Sequence, residues 1–121
     1  MPLYNPSGAT AYDPGPLTVV PAGQTRTLSQ AKIQRVLLPT DGAAATVLLP
    51  ATPNDRDAVL FDTSGATIVN QATINPNGNN IESIYLAPGT IVSVPVTTGL
   101  NPGASGELIF EAGTPGVWRQ W

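Results

Sequence analysis

AATVLLPATPNDRDAVLFD, residues 44–62, decides the fold class. Two short apolar runs, residues 44–49 and 57–62, flank a stretch built from Pro50, Pro53, Asn54 and Asp55. Neither run is long enough for a helix of ordinary length. Proline removes a backbone donor and pushes its predecessor toward extended geometry, while Asn and Asp favour turns. Both runs therefore read as strands joined by a loop.

The same grammar extends in both directions. Residues 24–28 alternate weakly, and Ser29-Gln30-Ala31 reads as a single helical turn with Ser29 as its N-cap. Residues 32–38 fit either period and are assigned as a strand stopped by Pro39, with Asp41-Gly42 as the turn beyond it. Downstream, residues 66–70, 73–74, 81–86, 90–97, 107–111 and 117–121 read as strands, separated by Ser64-Gly65, Asn75-Pro76-Asn77-Gly78, Pro88-Gly89 and Asn101-Pro102-Gly103. Asn77-Gly78 is the strongest of these signals, because a tight hairpin turn needs positive φ at both central residues. About nine short strands at close spacing define an all-β fold, a compact sandwich or jelly-roll-like barrel.

Composition agrees. The 121 residues are the size of one domain. Of them 41% are apolar and only 6% aromatic, so the core must come from Val, Ile, Leu and Ala, and β-branched side chains favour strands. Residues 1–23 stand apart as an extended arm containing Pro2, Pro6, Pro14, Pro16 and Pro21, with residues 24–121 as a single β domain. The arm carries Leu3, Tyr4, Tyr12, Leu17, Val19 and Val20, apolar groups suited to draping over a neighbour.

Charge narrows the function. Charged residues make up 11% of the chain, against about 25% in ordinary soluble domains. A surface so poor in ions is expected to be covered by neighbouring chains, because interface cores are depleted in charge. The net charge of −3 argues against a nucleic-acid partner. The chain has no apolar run of membrane-spanning length, and residues 1–15 have neither the basic nor the apolar region of a signal peptide.

The sequence has no His and no Cys, which removes the commonest general base, the thiol nucleophile and the usual zinc ligands. Asp55, Asp57, Asp62, Glu82, Glu107 and Glu111 remain for carboxylate-pair chemistry, but most lie at strand ends or in turns, where solvation accounts for them. Calcium would find oxygen ligands at Asn54, Asp55 and Asp57, yet the spacing is not an EF-hand and Arg56 offers those carboxylates a salt bridge instead. No enzyme activity, metal or cofactor is expected. Trp118, Trp121 and Tyr85 are the only aromatic platforms for a glycan. Aromatic and Arg side chains dominate interface hot spots, so Trp118, Arg119 and Trp121 are the first contact candidates, with Tyr4, Tyr12 and Leu17 of the arm beside them.

Residues 44–121 also resemble a known module. The run Val47-Leu48-Leu49-Pro50, the turn Pro53-Asn54-Asp55-Arg56-Asp57, the strand Val59-Leu60-Phe61-Asp62, the segment Thr73-Ile74-Asn75-Pro76-Asn77-Gly78-Asn79-Asn80-Ile81 and the closing Trp118-Arg119 look like a β-module recurrent in bacteriophage virion proteins. Tail fibres and head appendages carry it. Arg56 stands where that pattern has Gly, and residues 100–106 form an extra loop. The resemblance implies that Leu49, Val59, Phe61, Ile74 and Ile81 are core, and that the Asn-Gly turn sets a hairpin register. It further implies a homotrimer located in the virion and assembled in the host cytoplasm. With a short chain, an arm and no fibrous shaft, the expected role is a capsid decoration (cement) protein or a head or neck appendage bound to the major capsid protein or another virion protein. A tail-fibre module adsorbing to a host surface glycan is the alternative.

Overall fold

The computed structural model describes residues 15–38, 43, 45–62, 72–82, 91–92, 96–97 and 105–120. Alternation of polar and apolar residues in short runs produces eleven strands and no helix among the described residues. They are β1 (Leu17–Val19), β2 (Thr25–Thr27), β3 (Ile33–Leu37), β4 (Thr46–Leu48), β5 (Ala58–Asp62), β6 (Thr73–Asn75), β7 (Asn80–Glu82), β8 (Ile91–Val92), β9 (Val96–Thr97), β10 (Ser105–Glu111) and β11 (Val117–Gln120). The protein is all-β.

Two sheets form. The larger has the order β1-β3-β5-β10-β11-β7-β8 and the smaller β2-β4-β6-β9. Consecutive strands from β1 to β7 alternate between the sheets, so the chain coils. Parallel ladders result: β1, β3 and β5 in one sheet, β2, β4 and β6 in the other. Parallel neighbours usually need a helical crossover, but here a strand of the opposite sheet makes the return. β10 then runs antiparallel to both β5 and β11, making the terminal hairpin.

The core lies between the sheets as one cluster fed by both. Successive side chains on a strand point to opposite faces, and the register aligns the inward ones into rows. Val36 pairs with Phe61, Val59 with Leu108, Phe110 with Trp118 and Trp118 with Ile81. Val47 and Ile74 face them from the smaller sheet's ladder, and all of these side chains are buried. Leu49, Val59, Phe61, Ile74 and Ile81, the expected core, are among them. Each such side chain contributes roughly 1.5–3 kcal/mol through removal from water. Two polar residues are buried among those described, Gln34 and Asp57; Gln34 donates from Nε2 to the Ser29 carbonyl at 2.9 Å and so is satisfied.

The structure corrects four local expectations. Ser29 caps no helix; its carbonyl serves Gln34 instead. The β domain begins before residue 24: Leu17–Val19 is already a strand, its flanking Pro16 carbonyl accepts from Arg35 N at 2.8 Å, and Val20 is fully buried. Within residues 90–97, β8 joins the larger sheet and β9 the smaller, so that run is two strands. The fourth correction concerns Asn77-Gly78. Asn77 has φ 55° and Gly78 φ 93°, and Asn79 N donates to the Pro76 carbonyl at 3.3 Å. Both central residues thus have the positive φ of a type I′ turn. The turn does not close a hairpin, however, because β6 belongs to the smaller sheet and β7 to the larger. It is a corner. The strand expected over residues 66–70 lies outside the described residues, as do residues 100–104 of the extra loop expected over 100–106, whose last two residues instead belong to β10.

Candidate interaction surface

β1 has its hydrophobic side reversed. Thr18 pairs with the inward Val36, so Thr18 faces the core while Leu17 and Val19 face outward. Leu17 is 51% and Val19 44% exposed. A one-residue slip in register would exchange the two faces of such a strand. The β1–β3 ladder excludes that exchange here, because Arg35 N donates to Pro16 O and Val20 N to Leu37 O.

The outward residues of the adjoining strands continue the patch. Leu17 lies beside Arg35 and Arg35 beside Leu60; Val19 lies beside Leu37. Leu37 and Leu60 are half-buried, as is Ile109, which pairs with Ala58 on the same sheet. Ile91, at the far edge, is the remaining exposed large apolar residue among those described. Single exposed apolar side chains need no explanation, but adjacent ones on one face mark interaction sites.

Beyond Ile109 the same face becomes ionic. Arg119 pairs across the hairpin with Ile109. Its Nε donates to Glu111 Oε2 at 2.8 Å and its Nη1 to Glu82 Oε2 at 3.1 Å. The hydrogen bond and charge of Glu111 raise the guanidinium's pKa; desolvation opposes them, and the charge and hydrogen bond of Glu82 add smaller upward contributions. A raised cationic pKa means the pair's contribution is present below the unfolded value and is lost only as pH climbs through the folded one, in strong alkali. Glu82 and Glu111, two of the carboxylates considered for catalysis, therefore meet on one cation.

A cleft of about 280 Å³ opens beside this network, lined by Asp55, Arg56, Ile109, Glu111 and Arg119 among others. The loop over residues 54–57 forms its wall and is tied to β10: Arg56 N donates to Phe110 O, and Phe110 N to Asp57 O, each at 2.8 Å. Asp55 Oδ1 accepts from Ala112 N at 2.9 Å. Asp57, only 2% exposed, uses Oδ2 to accept from Asn54 N and from Gln30 Nε2, both at 2.8 Å. Neutral N–H donors thus take the place of the salt bridge expected from Arg56, whose guanidinium has no ion-pair partner among the described residues. Arg56 has φ 72°, a left-handed conformation unusual for a residue with a side chain. No group of three or more metal-ligating side chains occurs among the described residues.

Of the contact candidates, Leu17 and Arg119 fall on this face. Trp118 does not. One residue from Arg119, it takes the opposite side of the pleat and is fully buried, with its ring 5.1 Å from that of Phe110. Its indole N–H finds no acceptor among the described residues, so bulk rather than hydrogen bonding places it there. Tyr4, Tyr12, Tyr85 and Trp121 lie outside the described residues. Leu37 and Leu60 were missed as surface residues, and Val19, expected among the apolar groups of the arm, was not among the first contact candidates; its spacing from Leu17, two apart, was the available signal.

No protein-family model and no curated protein matches the sequence. Among solved structures, the fold is similar to a chain in a chaperone–substrate complex, with TM-score 0.50 and 16% identity, over 86% of this chain and 16% of that one. The protein thus spans a small part of that chain's length, and at this identity the likeness concerns the fold alone.

Proposed function

We propose that this protein is a structural component of a bacteriophage virion, a capsid decoration protein or a head or neck appendage that assembles as a homo-oligomer, most simply a trimer. The observation carrying the assembly is β1: a strand with Thr18 turned to the core and Leu17 and Val19 turned to solvent gains by covering its outer face. A chain with 11% charged residues lacks the ions that ordinarily discourage such association. The virion is supported by the resemblance of residues 44–121 to the phage module. Arg56 adds to this, since its φ of 72° is the conformation glycine takes freely, at the position where the pattern has Gly.

The major capsid protein or another virion protein would be the second partner, and the reading is non-catalytic. The glycan-adsorbing alternative needs exposed aromatic platforms. Burial of Trp118 removes one of its three candidates, which favours the assembly reading.

Light scattering coupled to size exclusion tests the proposal. The wild-type chain should run as an oligomer at micromolar concentration, and the double variant Leu17→Glu/Val19→Glu as a folded monomer. A wild-type monomer that also fails to bind phage capsids would overturn it.

A further inference from the structure

We propose that Asn77-Gly78 is a self-modification site, at which spontaneous deamidation is restrained by the folded corner and yields a product that the corner no longer accommodates. It is the only Asn-Gly pair in the sequence. The chemistry needs water and a base, and no other reagent. After losing its proton to base, the Gly78 nitrogen attacks Asn77 Cγ. The N–Cγ bond forms, the Cγ–Nδ2 bond breaks, and Nδ2 leaves as ammonia, closing a five-membered succinimide. Water then opens either carbonyl, leaving aspartate or its isoaspartyl isomer. One water is consumed and one ammonia released. A glycine in second place favours the reaction, because no side chain crowds the attacking nitrogen; here a Cβ on Gly78 would meet nothing within 4 Å.

Two restraints oppose it. The leaving nitrogen is engaged, since Asn77 Nδ2 donates to the Leu49 carbonyl at 3.0 Å. The backbone is also held: Asn77 N donates to Asn75 Oδ1 at 2.8 Å, and Asn79 N closes the turn on Pro76. Ring closure must carry Cγ onto the Gly78 nitrogen and away from Leu49, opening both. Asn79 Nδ2, donating to the Ala51 carbonyl at 3.2 Å, fastens the turn to the same neighbouring segment.

The product cannot restore the bond to Leu49. A carboxylate offers only acceptors, so the Leu49 carbonyl would lose its donor and face a negative charge instead. The isoaspartyl form additionally inserts a methylene into the backbone between β6 and β7, the link from one sheet to the other. Leu49 and the adjoining Pro50 are fully buried, so strain at this corner is transmitted to the core. Conversion records, irreversibly, that the corner has opened.

The experiment incubates the native protein and the urea-unfolded protein side by side in mildly alkaline buffer, then maps aspartate and isoaspartate by peptide mass spectrometry. In the unfolded chain Asn77 should convert ahead of every other asparagine, and in the native protein at least about tenfold more slowly, as expected when reaction requires local opening. Gly78→Ala should slow the unfolded chain's reaction, which separates chemistry from folding. Asn77→Asp, the product made directly, should lower the urea midpoint. Equal rates in the two states, earlier conversion at another asparagine, or an Asn77→Asp variant as stable as wild type would each overturn the proposal.

Discussion

Replacing Gly116 with alanine tests the packing beneath the hairpin most directly. A Cβ built there would lie 2.1 Å from Phe110 Cζ, 2.8 Å from Cε1 and 3.1 Å from Cε2. The first two distances are below any real carbon contact, so the ring must retreat by more than an ångström or the hairpin must shift. Retreat has little room. Phe110 is 5% exposed, and its ring already stands against fully buried Trp118 at 5.1 Å and 57°. Moving the hairpin instead strains the β11–β7 ladder, because Gly116 O accepts from Asn80 N at 3.0 Å.

Overpacking a well-filled core costs about 1–3 kcal/mol, and disturbing the tilted aromatic pair adds about 0.5–1.5 kcal/mol. Gly116→Ala should therefore destabilise by about 2–4 kcal/mol, read from urea unfolding followed by tryptophan fluorescence, to which Trp118 contributes from the core. The cause is tested by a double-mutant cycle. Phe110→Leu shortens the obstructing ring, so the combination Phe110→Leu/Gly116→Ala should be less destabilised than the sum of the single changes, by about 1 kcal/mol or more. Additive effects, or a Gly116→Ala loss below about 0.5 kcal/mol, would show that the ring does not occupy this space.

Three further outcomes follow from the loop beside the cleft and the network next to it. Arg56→Gly should stabilise by about 0.5–1 kcal/mol by relieving the positive φ, since no ion pair among the described residues is lost; a lower urea midpoint would contradict this. Asp57→Ala strips the acceptor from two donors at a buried position and should cost about 2–4 kcal/mol, while Asp55→Ala, at an exposed site with one bond, should cost about 1 kcal/mol in the same unfolding assay; the reverse order would refute the assigned roles. The stability difference between wild type and Glu111→Gln should be the same at about pH 7 and about pH 10, because a guanidinium is charged at both and pairing with Glu111 only raises that of Arg119; a difference that vanishes by pH 10 would show that the cation Glu111 meets is not Arg119.

Local chemistry was legible in the sequence and strand partnership was not. Leu49, Val59, Phe61, Ile74 and Ile81 lie in or beside short apolar runs, the resemblance to the phage module implies that they are core, and all five are buried. Asn77-Gly78 announces a turn with positive φ, and that is the turn found. Nothing local says that the strands before and after it pair with different neighbours, so a turn that ordinarily closes a hairpin serves here as a corner. β1 was hidden for a related reason. Pro16 and Pro21 mark its surroundings as arm, yet Pro16 needs only its carbonyl to join the ladder, and Pro21 lies beyond the last paired residue. In the terminal strand the pleat fixes that Trp118 and Arg119 face opposite ways, but only the partner strands decide which of them goes inward.

The coiled architecture explains why the interaction surface lies where it does. A three-residue strand presents one side chain to the core when its ends face out, so a coil made of β1 and β2 has two inward positions, and here they hold Thr18 and half-buried Arg26. Arg26 turns back on its own segment, donating to the Gln24 side chain at 2.6 Å and to the Thr25 carbonyl at 3.0 Å, and adds no apolar burial. Val20 and Leu28, just past the strand ends, supply what this coil gives to the core. The later coils place Val36, Val47, Phe61 and Ile74 inward and support themselves. The strands of the first coil therefore add less apolar burial than those of the two coils that follow, and this coil is also the part that shows Leu17 and Val19 to solvent. Covering that face would bury apolar area and brace this coil together. Loss of association by Leu17→Glu/Val19→Glu should then be accompanied by faster amide exchange in β1 and β2 than in β4 and β6, whereas uniform exchange across the four strands would separate assembly from the stability of this coil.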